Sequence, residues 1–288
     1  FLLSPLPQWE PFPAVLRGKT RMDAGTSTNP VAVGDVVEYL TDGPVADMEH
    51  PAVICSILPR RNHLMRRSTN LSRQSHVIAA NLDRVFIVCT LYFPAIKLPF
   101  LDRQLVACGM YGIPVTVVLN KVDLNAGEAA GELEAFRHTY RDLAGYDVLE
   151  VSARTGEGLE SLRSRCAGLC LFTGESGVGK SSLIKALDPS LDPKIGRISD
   201  AHLQGKHTTS LYEMYPLSGG ESGSDAFVID TPGLRGFGLV ELEKEQIHTY
   251  FPEMLRVADD CRFVPCTHTH EPGCAVKAAV DAGTISAE

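Results

Sequence analysis

The fold of this chain is decided by the stretch LCLFTGESGVGKSSLIKAL, which occupies residues 169–187 of 288. Leu169 to Thr173 form a short apolar run that predicts a buried parallel strand. The glycines that follow allow backbone N–H groups to converge on phosphate oxygens, and Lys180 can reach the terminal phosphates. Ser181 to Leu187 predict a helix whose N-terminus faces the same phosphates. The stretch therefore predicts a strand, a loop and a helix that together bind the phosphate chain of a nucleotide.

A second motif, Asn120-Lys121-Val122-Asp123, lies at the end of another apolar run. The Asp123 carboxylate can accept hydrogen bonds from both the ring N–H and the exocyclic amine of guanine, whereas adenine would leave it unpaired. We expect Lys121 to lie along the base and Asn120 to connect neighbouring loops. Alone, a four-residue match also fits a surface turn, so this motif gains its weight from the others.

Two further loops follow apolar runs in the same way. The pair Ser152-Ala153 follows residues 147–151 and resembles the GTPase loop whose alanine N–H contacts the guanine carbonyl oxygen. Asp230 fits the carboxylate that holds a magnesium ion, and Gly233 fits the backbone donor to the terminal phosphate.

The order of these motifs is rotated relative to an ordinary GTPase, in which the phosphate loop comes first and the base motif last. The order predicts a circularly permuted GTPase domain that uses GTP or GDP with Mg²⁺. The predicted nucleotide-binding residues are Asn120, Lys121, Asp123, Ser152, Ala153, Gly174, Glu175, Ser176, Gly177, Val178, Gly179, Lys180, Ser181, Ser182, Asp230 and Gly233. The predicted magnesium ligands are Ser181, Thr209 and Asp230, although the sequence does not decide which threonine of residues 206–210 takes that place.

Residues 261–274 combine three cysteines with a histidine. Three thiolates and one imidazole are the donor set of a closed structural zinc site, so this segment predicts one Zn²⁺. The predicted zinc ligands are Cys261, Cys266, His268 and Cys274, with His270 as the nearest competitor for the nitrogen ligand. The other cysteines have no paired spacing and are expected to be small buried apolar residues: Cys55, Cys89, Cys108, Cys166 and Cys170.

The N-terminal part contains short β-rich runs separated by polar turns. This pattern predicts a small barrel, for which an oligonucleotide-binding barrel is a natural candidate, although a plain β-domain fits equally well. Residues 59–73 then carry five arginines and no acidic residue, on a chain with 27 basic and 35 acidic residues. They indicate either a contact with RNA phosphates or a solvated linker face. The candidate RNA contacts are Arg60, Arg61, Arg66, Arg67 and Arg73.

Hydrophobic residues make up 44% of the chain, and no apolar stretch approaches membrane-spanning length. We therefore expect a globular protein with no membrane partner. A thiol-rich nucleotide-binding protein belongs in a reducing compartment. Because the chain begins with Phe1, the sequence leaves open whether a targeting segment precedes it.

Together these patterns predict a multidomain α/β chain. Residues 1–75 are expected to form an OB-like β-barrel. Residues 76–240 are expected to form the circularly permuted P-loop GTPase domain, a mostly parallel sheet with helices on both faces. Residues 241–288 are expected to form an α-helical zinc-binding domain.

Nearly the whole chain resembles the ribosome small-subunit-dependent GTPase family, known as RsgA, YjeQ or EngC. The resemblance lies in the barrel with residues 59–62, the permuted motifs, the segment Lys206-His207-Thr208-Thr209 and the cysteine-rich tail. It implies a cytoplasmic assembly factor that binds the small ribosomal subunit and its rRNA, hydrolyses GTP there and leaves; we expect a monomer. Relatives usually continue beyond Val280, so the resemblance implies that part of the C-terminal tail is missing.

Many GTPases carry a water-orienting glutamine after the Asp-x-x-Gly motif, where this chain has Leu234. We expect slow intrinsic hydrolysis, with the polar group supplied by His207, another switch residue or the bound ribosome. The predicted catalytic residues are Lys180, His207, Thr208 and Thr209. One alternative is a nucleotide-gated binding module with incidental turnover. Another is an ATPase, or a GTPase that serves tRNA or membranes, but Asp123 argues against ATP and the lack of a basic amphipathic helix argues against membranes.

Overall fold

The computed structural model describes residues 1–5, 9–16, 30–43, 46–67, 75–124, 130–191, 212–218, 226–233, 239 and 242–287. Four predicted site residues lie outside these ranges: Arg73, His207, Thr208 and Thr209.

The centre of the molecule is a six-stranded sheet with the spatial order β11-β12-β10-β7-β8-β9. Its strands are β7 (Arg84–Cys89), β8 (Val115–Leu119), β9 (Asp147–Glu150), β10 (Leu169–Gly174), β11 (Glu213–Leu217) and β12 (Ala226–Asp230). Neighbouring strands are parallel except for β11, which pairs antiparallel with β12 at one edge. The sheet is therefore mostly parallel, as predicted.

Helices cover both faces of this sheet because its strands are apolar on both sides. In β7, Val85 and Ile87 lie in one buried cluster, while Phe86 and Val88 lie in the other. The helices of the first face are α1 (Leu98–Met110) and α2 (Ala130–Arg137), which continues as a π-helical turn at His138–Leu143. The helices of the second face are α3 (Leu159–Arg163) and α4 (Lys180–Leu187). Burying each large apolar side chain contributes about 1.5–3 kcal/mol, so the two clusters together hold the sheet between its helices.

The permutation is visible in the order of the strands along the chain. The strand that leads into the phosphate loop, β10, lies beside β7 in the sheet, and β7 lies beside β8, which ends just before the base motif. Along the chain, however, β10 follows both β7 and β8. The circular permutation predicted from the motif order is confirmed.

The N-terminal part forms a separate four-stranded sheet with the order β1-β2-β4-β3, which curls into a half-barrel. Its strands are β1 (Leu2–Leu3), β2 (Phe12–Leu16), β3 (Val37–Leu40) and β4 (Ala52–Ile57). A small core of Ala14, Ala52 and Ile54 is buried beneath them. The hairpin β5 (His63–Arg67) and β6 (Ser75–Ala80) follows, so the domain boundary predicted at residues 75 and 76 falls at the start of β6.

The C-terminal part is helical, as predicted. A 3₁₀ helix at Lys244–Tyr250 leads into α5 (Pro252–Ala258) and, after the cysteine-rich loop, α6 (Ala275–Asp281). It contacts the central unit where Tyr250 packs over Gly109 of α1 and where Arg256 donates to the carbonyl of Leu143. Among the helices that the structure describes, none combines the length and apolar character needed to cross a bilayer.

The cysteines outside the C-terminal cluster are mostly core residues. Cys89, Cys108, Cys166 and Cys170 are buried, and Cys55 is half-buried. Burial raises the pKa of Cys89 and of Cys108 to about 12, so these two thiols stay protonated and unreactive at neutral pH.

Candidate functional site

The phosphate loop runs from Gly174 at the end of β10 to Lys180 at the start of α4. Two of its glycines have no room for a side chain. A Cβ on Gly174, at φ +142°, would lie 2.2 Å from the Val88 carbonyl oxygen, and one on Gly179, at φ +98°, would lie 2.4 Å from Asn120 Nδ2. The loop therefore keeps its shape only with glycine at both positions.

Lys180 is the cation of this loop, and its side chain is buried. The Lys180 Nζ donates to the carbonyl oxygens of Gly174 at 3.1 Å and of Glu175 at 2.8 Å. Burial lowers the pKa of Lys180 to about 8, although the carboxylates of Asp230 and Glu175 oppose this shift. A phosphate group in the loop would supply the negative charge that the buried ammonium lacks.

Beside Lys180, a hydroxyl pairs with a carboxylate. Ser181 Oγ donates to Asp230 Oδ2 at 2.6 Å, whereas Asp230 Oδ1 is buried without a hydrogen-bond partner. Burial raises the pKa of Asp230 in spite of the bond from Ser181. A buried carboxylate oxygen without a partner, next to a hydroxyl, is a donor set that fits Mg²⁺. The third predicted ligand, Thr209, lies outside the described residues.

Asn120 connects three loops of the site. Its Nδ2 donates to the Val178 carbonyl in the phosphate loop at 2.8 Å, and its Oδ1 accepts from the Ala153 N–H at 3.2 Å. The neighbouring Lys121 Nζ donates to the Gly177 carbonyl at 2.7 Å. The base motif, the alanine loop and the phosphate loop therefore meet in one place, although they are far apart in sequence.

Asp123 lies beside the alanine loop, and both of its carboxylate oxygens are engaged. Oδ1 accepts from Ser152 Oγ at 2.6 Å, and Oδ2 pairs with Arg154 Nη2 at 2.7 Å. The bond from Ser152, followed by the charge of Arg154, lowers the pKa of Asp123 below its ordinary value. The carboxylate is therefore ionised at neutral pH. Arg154 was not among the predicted site residues; its signal was its place directly after Ala153.

Gly233 brings the Asp-x-x-Gly loop against the phosphate loop. A Cβ at this position would lie 2.4 Å from Ser176 Cα and 2.7 Å from Ser176 N. The two backbones are thus in direct contact at the end of the site where a terminal phosphate would bind. Ser182, also predicted here, lies in the first turn of α4 and is exposed.

A second residue that sequence reasoning missed is Lys97. Its Nζ forms an ion pair with Glu175 Oε1 at 2.6 Å and so connects the start of α1 to the phosphate loop. The two residues are 78 positions apart, and no local pattern marks them as partners.

The cysteine-rich loop forms a compact cluster. The ligand atoms of Cys261, Cys266, His268 and Cys274 all lie within 4.8 Å of one another. His268 Nδ1 is 3.6 Å from the Cys261 sulfur and 3.4 Å from the Cys274 sulfur, and these two sulfurs are 3.9 Å apart. A tetrahedral zinc ion with sulfur ligands at about 2.3 Å requires edges of about 3.8 Å, so the cluster fits Zn²⁺.

The competing histidine is outside this cluster. His270 Nδ1 contacts Thr269 Oγ1 at 2.9 Å, whereas the left-handed backbone of His268, at φ +59°, turns its ring towards the sulfurs. Glu271 accepts hydrogen bonds from the hydroxyl and N–H of Thr267, which hold its pKa well below the usual range. These contacts fix the loop that carries the ligands.

Two of the candidate RNA-binding arginines have partners within the chain. Arg60 Nε and Nη2 donate to the two carboxylate oxygens of Asp35 at 2.7 and 2.8 Å. Arg61 Nη2 pairs with Asp83 at 2.7 Å. Arg66 and Arg67 belong to β5. The contact with RNA stays a prediction.

Comparison with known proteins agrees with this geometry. The family model described as RsgA GTPase matches residues 57–240. A Bacteroides fragilis protein named small ribosomal subunit biogenesis GTPase RsgA is 42% identical over 272 residues, which cover 94% of this chain and 84% of that protein. A Porphyromonas gingivalis protein of the same name is 45% identical over 271 residues, with the same coverage of 94% and 84%.

Solved structures show the same fold. Thermotoga maritima YjeQ superimposes with a TM-score of 0.71 at 30% identity, covering 97% of this chain and 86% of that one. YloQ, described as a circularly permuted GTPase, superimposes with a TM-score of 0.65 at 24% identity over 97% and 83% of the two chains. The chain therefore belongs to the RsgA GTPase family, and this membership indicates a GTP-hydrolysing enzyme.

Proposed function

We propose that this protein binds GTP in the site between the base motif and the phosphate loop, and that it hydrolyses GTP during maturation of the small ribosomal subunit. The observation that carries the proposal is the Asn120 side chain, which bonds to Val178 and to Ala153 and so holds three loops as one site. The names of the similar proteins supply the ribosomal context.

The proposed roles of the residues follow from their chemistry. Asp123 accepts hydrogen bonds from the ring N–H and the exocyclic amine of guanine, while the Ala153 N–H faces the guanine carbonyl oxygen. The backbone of the phosphate loop surrounds the phosphates, and Lys180 neutralises their charge. Gly233, which lies against Ser176, donates its N–H to the terminal phosphate.

The proposed magnesium ligands are Ser181, Asp230 and the switch residue Thr209. When bound, the ion neutralises charge that develops on the phosphates during hydrolysis. The unpaired Asp230 Oδ1 supports this assignment, because a buried carboxylate oxygen without a donor is costly unless a cation completes it. The cysteine cluster is proposed to hold one structural Zn²⁺.

The residues that activate the attacking water are proposed from the sequence alone. His207, Thr208 and Thr209 lie in the segment between α4 and β11, and Leu234 cannot replace a water-orienting glutamine. Turnover of His207→Ala, measured with and without small subunits, tests this role. Equal rates for the variant and the unmodified protein in both conditions would remove His207 from the mechanism.

We propose that the protein is a cytoplasmic monomer. Its proposed partner is the small ribosomal subunit, which it contacts through the rRNA. Arg61 keeps 59% of its side chain exposed although it pairs with Asp83, which supports its accessibility to a partner. The arginines proposed to contact rRNA remain Arg60, Arg61, Arg66, Arg67 and Arg73.

GTP hydrolysis with purified small subunits, large subunits and tRNA tests the proposed function. We expect stimulation by small subunits alone. Equal stimulation by all three would contradict the proposed partner. A second candidate function is a nucleotide-gated binding module. Leu234, which cannot orient the attacking water, favours this candidate. The candidate predicts that a hydrolysis-dead variant still completes subunit maturation.

A further inference from the structure

We propose that Arg154 is a built-in competitor of guanine: its guanidinium pairs with Asp123 Oδ2 and withdraws when the base binds. The inference rests on the proposed function, because it concerns the same base site. It assigns to Arg154 control over nucleotide affinity and over the discrimination between guanine and hypoxanthine.

The contacts of Asp123 leave no oxygen free. Ser152 Oγ holds Oδ1 at 2.6 Å from the interior side of the loop, and Arg154 Nη2 holds Oδ2 at 2.7 Å. The Asp123 side chain is 9% exposed, whereas that of Arg154 is 73% exposed. The base can therefore reach the carboxylate from the open side only where the guanidinium already lies.

Arg154 can leave without disturbing the loop. Its backbone N–H and that of Thr155 donate to Ser152 Oγ at 3.3 and 3.1 Å, so the backbone of the turn is fixed independently of the side chain. The side chain itself lies mostly in solvent, and among the residues that the structure describes the contact it loses when it swings away is the ion pair with Asp123. Exchange of the two donors therefore needs rotation of one side chain and no movement of the sheet.

The competition is chemically matched. The edge of guanine that Asp123 would bind, N1–H with the C2 amine, is itself a guanidine unit with two parallel N–H donors. Arginine offers the same donors, which suit the two oxygens of a carboxylate. Hypoxanthine lacks the amine and offers only N1–H, so it needs one oxygen and leaves Arg154 free to stay on the other. Guanine displaces Arg154 completely, and hypoxanthine does so only in part.

Removal of the guanidinium should therefore strengthen binding of GDP more than binding of inosine diphosphate. An exposed ion pair of this kind contributes little, so we expect the dissociation constant of Arg154→Met for GDP to fall about two- to fivefold. The change for inosine diphosphate should be smaller, so the ratio of the two dissociation constants rises. The release of GDP should become slower by a similar factor.

The experiment is isothermal titration of both nucleotides into the 288-residue chain, with stopped-flow release of a fluorescent GDP. The matched control is Arg141→Met, which removes the same charge from an exposed pair with Asp142 in the π-helical turn; its affinities should equal those of the unmodified protein. The GDP affinity of Arg154→Lys, which keeps the charge, should lie between those of Arg154→Met and of the unmodified protein. If Arg154→Met unfolds, Arg154→Gln provides a second variant without the charge, and its affinities for both nucleotides are measured in the same way.

Two results would overturn the inference. Weaker or unchanged GDP binding by both Arg154→Met and Arg154→Gln would show that the guanidinium supports the base instead of competing with it. If the affinities for GDP and for inosine diphosphate rise by the same factor, the effect comes from the removal of a positive charge near the site and not from competition with the base. The variant Asp123→Ala distinguishes failure of this inference from failure of the proposed base site. If Asp123→Ala binds GDP as tightly as the unmodified protein, the proposed base site is wrong as well. If it loses GDP binding, the base site stands and only the competition by Arg154 is wrong.

Discussion

Replacement of Asn120 by alanine removes the side chain that holds the base motif, the alanine loop and the phosphate loop together. Asn120 is 1% exposed, and its amide bonds to the Val178 carbonyl at 2.8 Å and to the Ala153 N–H at 3.2 Å. Alanine would leave both backbone groups without a partner. A buried polar group left unpaired costs about 1–3 kcal/mol, so for two such groups we expect the free energy of unfolding to fall by about 2–6 kcal/mol.

The same substitution should weaken GDP binding. In the proposed complex the phosphate loop and the alanine loop contact opposite ends of the nucleotide, so without Asn120 the nucleotide itself would have to hold them in place. If ordering the loops consumes the free energy of about one hydrogen bond, the affinity for GDP falls about tenfold. Urea unfolding gives the stability, and isothermal titration gives the affinity.

Asn62→Ala is the matched control. Asn62 makes the same double bridge to backbone, donating to the Leu82 carbonyl and accepting from the Leu82 N–H, both at 2.8 Å, but it lies between β5 and the central unit and away from the nucleotide loops. We expect this variant to lose stability and keep its GDP affinity. If both variants lose stability and both bind GDP as tightly as the unmodified protein, Asn120 does not organise the site and the reasoning is wrong.

Three further predictions concern the cation, the switch contact and the metal. The affinity for GDP should fall by up to about tenfold per pH unit above pH 8 and stay level below pH 8. The reason is that the amine of Lys180, whose pKa is lowered to about 8, must be protonated to bind phosphate. Calorimetry from pH 7 to 9.5 that shows no such fall would contradict this prediction. Gly233→Ala should weaken a GTP analogue more than GDP, because its Cβ would lie 2.4 Å from Ser176 Cα; equal affinity losses for the two nucleotides would argue against it. The purified protein should contain one zinc ion, and Cys274→Ser should lose both the ion and the hydrogen-exchange protection of residues 252–285; retention of a full equivalent of zinc would disprove the assignment of this ligand.

The parts of the site that the sequence predicted are those whose chemistry is local. Gly174 and Gly179 are required because a Cβ would meet Val88 or Asn120, and that requirement leaves a recognisable spacing in the chain. Strands that end in such loops are apolar on both faces, so the parallel sheet could also be predicted.

Pairs between distant residues could not be predicted. Arg60 and Asp35 are 25 positions apart, and a run of arginines in the sequence does not reveal that two of them, Arg60 and Arg61, are already paired. The ion pair between Lys97 and Glu175 depends on where α1 begins relative to the phosphate loop, which the tertiary fold decides. The sequence predicted His268 as a zinc ligand and left His270 as its competitor, but the left-handed backbone of His268, which distinguishes the two, could not be predicted.

The central claim is that one purine nucleotide is bound at its base by Asp123 and at its phosphates by Lys180. Xanthine carries a carbonyl where guanine carries the amine, so an amide in place of the Asp123 carboxylate should reverse the preference. For Asp123→Asn we predict that calorimetry shows GDP binding weakened by about ten- to a hundredfold, which is the loss of a hydrogen bond to a charged group, and xanthosine diphosphate binding strengthened. GDP affinity equal to that of the unmodified protein, with no gain for xanthosine diphosphate, would contradict the claim.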